Sequence, residues 1–331
     1  MNRSTVPPPV TQVMDEAEAW LPRLMGQVEE RLAKLIEGHG EVLASDARAT
    51  LKAGGKRLRP MLVLLCAGPA SGPAALRGAA AIELVHMATL VHDDVLDQAP
   101  LRRGLPTVMA TSGRDRATAV GDLLLSRAFA QLVEGEDPGS GRQVELLAGA
   151  SVGLALGELA QRRDAWNMST TAERYLERCR LKTARLFECA CLIGRVSEHA
   201  DPASAALRRF GQEIGLAFQL LDDVLDVAGP PERTGKARGT DLLDGTVTMP
   251  LILARERDPA LARLDLQALD AGGAEAACAR IAETGALDEV RADARARVAD
   301  AKRVIAECKA LPETQQRLLA LVADGVVERY A

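Results

Sequence analysis

Apolar residues recur at three- and four-residue spacing along most of the chain, the repeat of helices that bury one face. No stretch sustains the apolar–polar alternation of a half-buried strand. Breaks fall at residues 134–142, "EGEDPGSGR", at 192–204, "LIGRVSEHADPAS", where DPAS reads as a helix start, and at 228–241, "AGPPERTGKARGTD". The last is the longest irregular stretch and has the length of a functional lid. From Gly285 onward the helical spacing returns with a charged outer face. None of the breaks has the character of an interdomain linker. The expectation is an all-α, single-domain helical bundle over residues 11–331, preceded by a Pro-rich segment, 1–10, that stays disordered.

Composition sharpens this reading. Hydrophobic residues make up 47% of the 331 but aromatics only 2%, so the core must be built from Ala, Leu and Val, and Ala and Leu favour helix. The net charge of −5 argues against a nucleic-acid binder, so an anionic ligand would need local cations or metal ions. Cys66, Cys179, Cys189, Cys191, Cys278 and Cys308 form no CxxC pair and read as reduced, mostly buried thiols of a cytoplasmic protein. The N-terminus shows no signal-peptide core, and polar residues such as Glu83 and His86 interrupt the apolar runs short of the ~20 residues of a membrane span. The expectation is a soluble protein without a transmembrane segment.

One motif occurs twice. "LVHDDVLDQAPLRRG" carries Asp93, Asp94 and Asp97; "FQLLDDVLD" carries Asp222, Asp223 and Asp226, and each follows an apolar run. On a helix, residues four apart share a face, so each copy fans three carboxylates to one side. Each copy taken singly also fits a solvated helix end. Yet two like-charged fans beside apolar runs, at helix C-termini whose dipole they oppose, call for cations. Carboxylate oxygens suit Mg²⁺, whose shell is completed by water and phosphate. Cations follow: Lys56, Arg57 and Arg59 in "GGKRLRP", Arg102 and Arg103 in "PLRRG", Lys182 beside Thr183 in "LKTARLF", and Lys236 in "TGKARGTD". Singly each fits a surface charge; together they suit two diphosphates.

These stretches, with "ELVHMATLVHDDVLD", "VGDLLLSRAF", "GELAQ" and "GKARGTDLLDGTVTMPL", resemble the bacterial medium- and long-chain trans-polyprenyl diphosphate synthases of the isoprenyl diphosphate synthase family, from about residue 20 to the C-terminus. The resemblance implies an isoprenoid-synthase-type fold around a large central cavity, usually as a homodimer. It implies head-to-tail condensation: an allylic diphosphate (geranyl, farnesyl or geranylgeranyl) ionises, and isopentenyl diphosphate attacks the cation. By motif position it assigns Asp93, Asp94, Asp97, Asp222, Asp223 and Asp226 to magnesium, about three ions per active site. It assigns Arg102, Lys182 and Lys236 to the allylic diphosphate, and Lys56, Arg59, His86 and Arg103 to isopentenyl diphosphate, with Arg57 as a helper. Thr183 and Gln219, with Lys182, lie by the same mapping near the developing cation. Thr246 stands where the family often has a further lysine.

Product length depends on what lies below Asp93. Short-product members place aromatic rings four and five positions upstream; this chain has Thr89 and Ala88, with Ala79, Ala80 and Ala81 further in. A helical turn of ~5.4 Å is close to one isoprene unit, so the small side chains point to a product of geranylgeranyl length or more, about six to ten units. Phe129 is a candidate deeper stop, and ordinary helix packing is the alternative for all three positions. Two other readings remain open: a type I terpene cyclase, against which the second DDVLD speaks, and a subunit of a hetero-oligomeric synthase.

Overall fold

The computed structural model describes residues 8–52, 54–55, 57–135, 138–196, 201–229 and 238–328. Helices α1 (Pro8–Glu16), α2 (Leu21–Leu35), α3 (Glu41–Lys52) and α4 (Leu58–Ala67) lead into the long α5 (Pro73–Leu96). A two-stranded hairpin, β1 (Leu101–Arg102) with β2 (Leu105–Pro106), precedes α6 (Val108–Ser112), α7 (Arg114–Val133) and α8 (Ser140–Asp164). Then come α9 (Ala172–Cys179), a π-helical segment (Arg180–Ala184), α10 (Arg185–Ile193) and α11 (Ser204–Ala228). The C-terminal part includes the helices Ala271–Glu283, Ala286–Ala306 and Glu313–Glu328. The all-α expectation is met, and the breaks at 134–142 and 192–204 fall between helices. The N-terminal boundary differs: helix begins at Pro8, and Val10 is buried beside Gly325 of the last helix. The apolar face of α1 is large enough to dock, so residues 8–10 belong to the fold.

The low aromatic content decides how the helices meet. Ala79, Ala80 and Ala81 of α5 are fully buried, and such short side chains let α5 pack closely along α7. The two run antiparallel: His92 pairs with Asp122 at 3.3 Å near one end, and Arg77 lies within the field of Glu134 near the other. Alongside, α10 packs on α11, and the helix Ala286–Ala306 covers the far side of α11.

Among the described residues two helices, α5 and α8, are long and apolar enough to cross a membrane by length and composition, although the sequence reading placed the polar interruptions too close for that. The 72% burial of the apolar window of α5 marks it as a core helix, whereas only 33% of the corresponding window of α8 is covered. Five of the six cysteines are buried, Cys308 is half-buried, and none is in a disulfide. Burial pushes the Cys179, Cys189 and Cys278 thiols up to about 12.

Close approach to the π segment depends on two glycines. A Cβ at Gly157 of α8 would lie 2.7 Å from the Lys182 backbone nitrogen, and one at Gly215 of α11 2.5 Å from the Ala184 Cα. Helices on both sides thus touch the backbone of this segment directly. Replacing Gly215 with Ala is expected to cost roughly 1–3 kcal/mol by overpacking, read as a lower denaturation midpoint; an unchanged midpoint would mean that the seam relaxes freely.

Candidate active site

The first aspartate copy closes α5, with Asp97 as its C-cap. No basic residue occupies the last turn of that helix, so compensation for dipole and charge comes from elsewhere in the chain. The hairpin supplies part of it. Its two-residue turn, Arg103–Gly104, has φ values of 54° and 76°, the pattern of a type I′ turn. That turn sends Arg102 back to α5, where Asp94 accepts from Arg102 Nε and Nη2, both at 2.8 Å. Asp97 accepts from Arg162 Nη2 at 2.6 Å; Arg162 Nε donates to Glu158 at 2.8 Å, and Glu158 pairs with Lys182 Nζ at 2.5 Å. Burial raises the Asp93 carboxyl above its usual range; Lys182 opposes this, while Glu158 and Asp97 add to it.

The second copy lies near the end of α11. Thr183 Oγ1 donates to Gln219 Oε1 at 2.6 Å, and Gln219 Nε2 donates to Asp223 Oδ1 at 2.8 Å. Tyr175 Oη donates to Asp223 Oδ2 at 2.5 Å. Burial pushes Asp223 up to about 7 although both hydrogen bonds favour the carboxylate, with nearby Asp222 pushing the same way as burial. Asp222 is exposed. Asp226 accepts the Asp241 N–H at 3.1 Å through its side chain and the Gly239 N–H at 3.0 Å through its carbonyl, pinning the chain where it returns at residue 238.

Lys182 and Thr183 are adjacent, and between them they join the two copies. Lys182 reaches Glu158 and through it the Asp97 network; Thr183 reaches Gln219 and through it Asp223. Their π-helical backbone is a form often found at functional sites.

The cation-lined side is organised around α4 and α5. A cavity of ≈ 350 Å³ is walled by His86, Asp94, Arg102 and Arg103, with Met87 and Leu90 as apolar lining. Half-buried His86 is held well below its usual value by desolvation, then by Arg59, Arg103, Arg102 and Arg57, so it is neutral at pH 7. Arg59 stacks over the Phe187 ring at 4.4 Å. Arg57, expected as a helper, is buried and hydrogen-bonded to Glu29 and Glu83. Lys56 and Lys236 lie outside the described residues, as does most of the candidate lid. Thr246 is half-buried, and its N–H donates to the Asp241 carbonyl at 2.7 Å.

The chain-length candidates separate. Thr89 is half-buried and lies on the Asp93 side of α5, four residues before it; its hydroxyl donates to the His86 carbonyl. Ala88 is 1% exposed and shares the face of His92, which packs against Gly121 of α7. Phe129 is half-buried against the core. None of the three lines the ≈ 350 Å³ cavity.

The donor set for a metal ion is all oxygen, which fits Mg²⁺. Desolvated Asp93 and Asp223, both raised by burial, are carboxyls that a divalent cation would compensate. Among the described residues, however, no three His, Cys, Asp or Glu side chains converge to hold an ion by themselves. The fan expected from each motif is divided among separate partners: Asp94 bonds Arg102, Asp97 bonds Arg162, Asp223 bonds Tyr175 and Gln219, and Asp226 accepts the Asp241 N–H. Such a set fits an ion that shares one or two carboxylates with phosphate oxygens and water.

Sequence reasoning missed Glu158, Arg162, Tyr175 and Glu83. Glu158 and Arg162 were visible as a four-residue pair, but their link to Asp97 spans 65 positions. Tyr175 bears no local signal of its bond to Asp223, 48 positions away.

A family model described as Polyprenyl synthetase matches residues 41–282. Heptaprenyl diphosphate synthase component 2 of Geobacillus stearothermophilus is 39% identical over 233 residues, 70% of this chain and 72% of that one. The all-trans-nonaprenyl-diphosphate synthase (geranyl-diphosphate specific) of Rhodobacter capsulatus is 36% identical, with 83% of this chain and 85% of that one aligned. Among solved structures, the polyprenyl synthase of Caulobacter crescentus CB15 complexed with calcium and isoprenyl diphosphate superposes with a TM-score of 0.89 at 34% identity, covering 97% of this chain and 98% of that one.

The burial of Asp223 has a measurable consequence. Folding takes its carboxyl from an ordinary value of ~3.9 to about 7, so between those values the folded state holds a proton that the unfolded chain has released. That contribution to stability is complete below ~4 and is lost as pH rises toward 7. In metal-free buffer, the melting temperature of Asp223→Asn relative to the parent is expected to climb between pH 5 and 7 and level off above. A difference constant with pH would show that the carboxyl titrates normally.

Proposed function

The chain belongs to the polyprenyl synthetase family, and from that premise we propose that it elongates an allylic diphosphate with isopentenyl diphosphate to a linear all-trans product of about six to ten isoprene units, judged by helical rise. Its coarser activity is that of a trans-prenyl diphosphate synthase. The observation that supports condensation at one site is the chain of contacts that joins both aspartate copies through Lys182 and Thr183; the product length is argued from the side chains below Asp93.

In this reading Arg102 and Lys182 grip the allylic diphosphate, exchanging their present carboxylate partners for phosphate oxygens. The C–O bond breaks with both electrons leaving on diphosphate. The alkene of isopentenyl diphosphate then donates its π electrons to the allylic carbon, and the carbon adjacent to the resulting cation gives a proton to the released diphosphate. The Thr183 hydroxyl and the Gln219 amide supply neutral dipoles near the cation, which favour it without trapping it. Neutral His86 hydrogen-bonds the acceptor's diphosphate, while Arg59 and Arg103 supply charge. Magnesium held at Asp93, Asp94, Asp97, Asp222, Asp223 and Asp226, when bound, would supply the positive charge that makes diphosphate a good leaving group. Apolar walls exclude water from the cation.

The relatives include heptaprenyl, nonaprenyl and geranylgeranyl diphosphate synthases. Within that range the small side chain of Thr89, on the Asp93 side of α5, favours the longer products. The protein with Mg²⁺, farnesyl diphosphate and labelled isopentenyl diphosphate is expected to give a ladder ending at one length of about six to ten units, read by mass. Thr89→Phe should shorten that product, whereas Ala88→Phe, in the α5–α7 seam, should shorten it only with a lower melting temperature. A cyclised hydrocarbon, or no turnover unless a second polypeptide is added, would replace this reading with the cyclase or with the hetero-oligomer.

A homodimer is part of the proposal. Val152, Leu156 and Leu159 lie on one face of α8 and are 60%, 52% and 61% exposed. An apolar ridge of this kind marks an interface, and a second copy of α8 is its simplest complement. Light scattering is expected to give twice the chain mass for the parent and the single-chain mass for Leu156→Asp; a dimer that survives the substitution would place the interface elsewhere.

A further inference from the structure

The loop between α3 and α4 is held by a buried arginine. Arg57 is 8% exposed and caps α4 with φ 49° and ψ 35°, a left-handed conformation that side-chain-bearing residues avoid. All three guanidinium nitrogens are committed. Nη1 donates to Glu83 at 2.7 Å, Nε to Glu29 at 2.6 Å, and Nη2 to the Leu51 carbonyl at 3.2 Å. With its donors spent this way, Arg57 is poorly placed to grip a phosphate.

What it does instead is tie the loop to α5. Glu83 is 3% exposed, and it lies one turn before His86 in the wall of the same cavity. The other side of the loop carries Gly55, where a Cβ would sit 3.2 Å from Arg103 Nη1 and 3.4 Å from Arg57 Nη1. Arg103 therefore closes over the loop that Arg57 anchors. The Glu83 carboxylate also offsets part of the mutual repulsion among Arg57, Arg59, Arg102 and Arg103, which all act on His86.

We propose that Glu83, acting through Arg57, is a positioning residue for the isopentenyl diphosphate subsite: the buried pair fixes the loop and spaces Arg59, Arg103 and His86 for one diphosphate. Glu29 shares the same guanidinium from a half-exposed position, with 44% of its side chain accessible, so water can replace much of its part. The proposal rests on the function inferred above, and its test has a readout that does not need turnover.

Glu83→Gln is expected to raise KM for isopentenyl diphosphate about tenfold, and to weaken its calorimetric affinity equally, with kcat and KM for farnesyl diphosphate within about twofold. Glu83→Asp should recover part of the loss, and Glu29→Gln should show a smaller one. Arg57→Gly adopts the left-handed turn freely, so retention of parental affinity in that variant would show that position 57 serves the turn alone and would overturn the proposal. A joint loss in kcat and both KM values would also overturn it, as general damage. Should Glu83→Gln fail to fold, Glu29→Gln and Arg57→Gly decide. If the parent binds isopentenyl diphosphate without turnover, the function fails while affinities still judge Glu83; if it does not bind, both fail.

Discussion

Buried like charge is the constraint around which this molecule is arranged. Two helices, α5 and α11, end in aspartates that lie partly inside the protein, at the end of the helix where the backbone dipole is also negative. Such carboxylates are tolerable only when cations and hydrogen-bond donors stand close by. Every nearby element contributes one: the hairpin gives Arg102, α8 gives Arg162, α9 gives Tyr175 and the π segment gives Lys182. The site is thus a meeting point of six chain segments that satisfy the same electrostatic demand.

The packing follows from that meeting. Lys182 and Thr183 must serve neighbours on both sides, which requires α8 and α11 to come within backbone distance of the segment that carries them. Gly157 and Gly215 permit it. Elsewhere the bundle uses alanine for the same end, so a core with few aromatics yields closely spaced helices around one polar seam. The second, cation-lined region works by the opposite charge balance. There the excess is positive; buried Glu83 moderates it, while desolvation and the arginines hold His86 in the neutral form.

The neutral His86 and the raised Asp223 have the same origin. Removal from water disfavours whichever form is charged, so a base loses its proton and an acid keeps it. In the proposed reaction, substrate phosphates and divalent ions would enter a pocket whose residues are held off their ordinary ionisation. Within the protein these charges are paired with one another, Arg102 on Asp94 and Lys182 on Glu158.

The repeat of apolar positions, the paucity of aromatics and the duplicate DDVLD were enough to establish helices, their breaks and the identity of the acidic and basic clusters, because these depend on spacing within a few turns. The same local logic explains why Arg102 and Arg103 were recognisable: the short turn that aims them is written in adjacent residues. It could not assign Arg57 to Glu83 rather than to a ligand, nor tell Ala88 from Thr89, because both depend on which helix lies against which face of α5. Glu158, Arg162 and Tyr175 became meaningful only once α8, α9 and the π segment were placed beside the aspartates. Sequence fixes periodicity and charge along one strand of chain; the partners of a buried charge are chosen by packing between segments far apart, and only the folded molecule makes that choice.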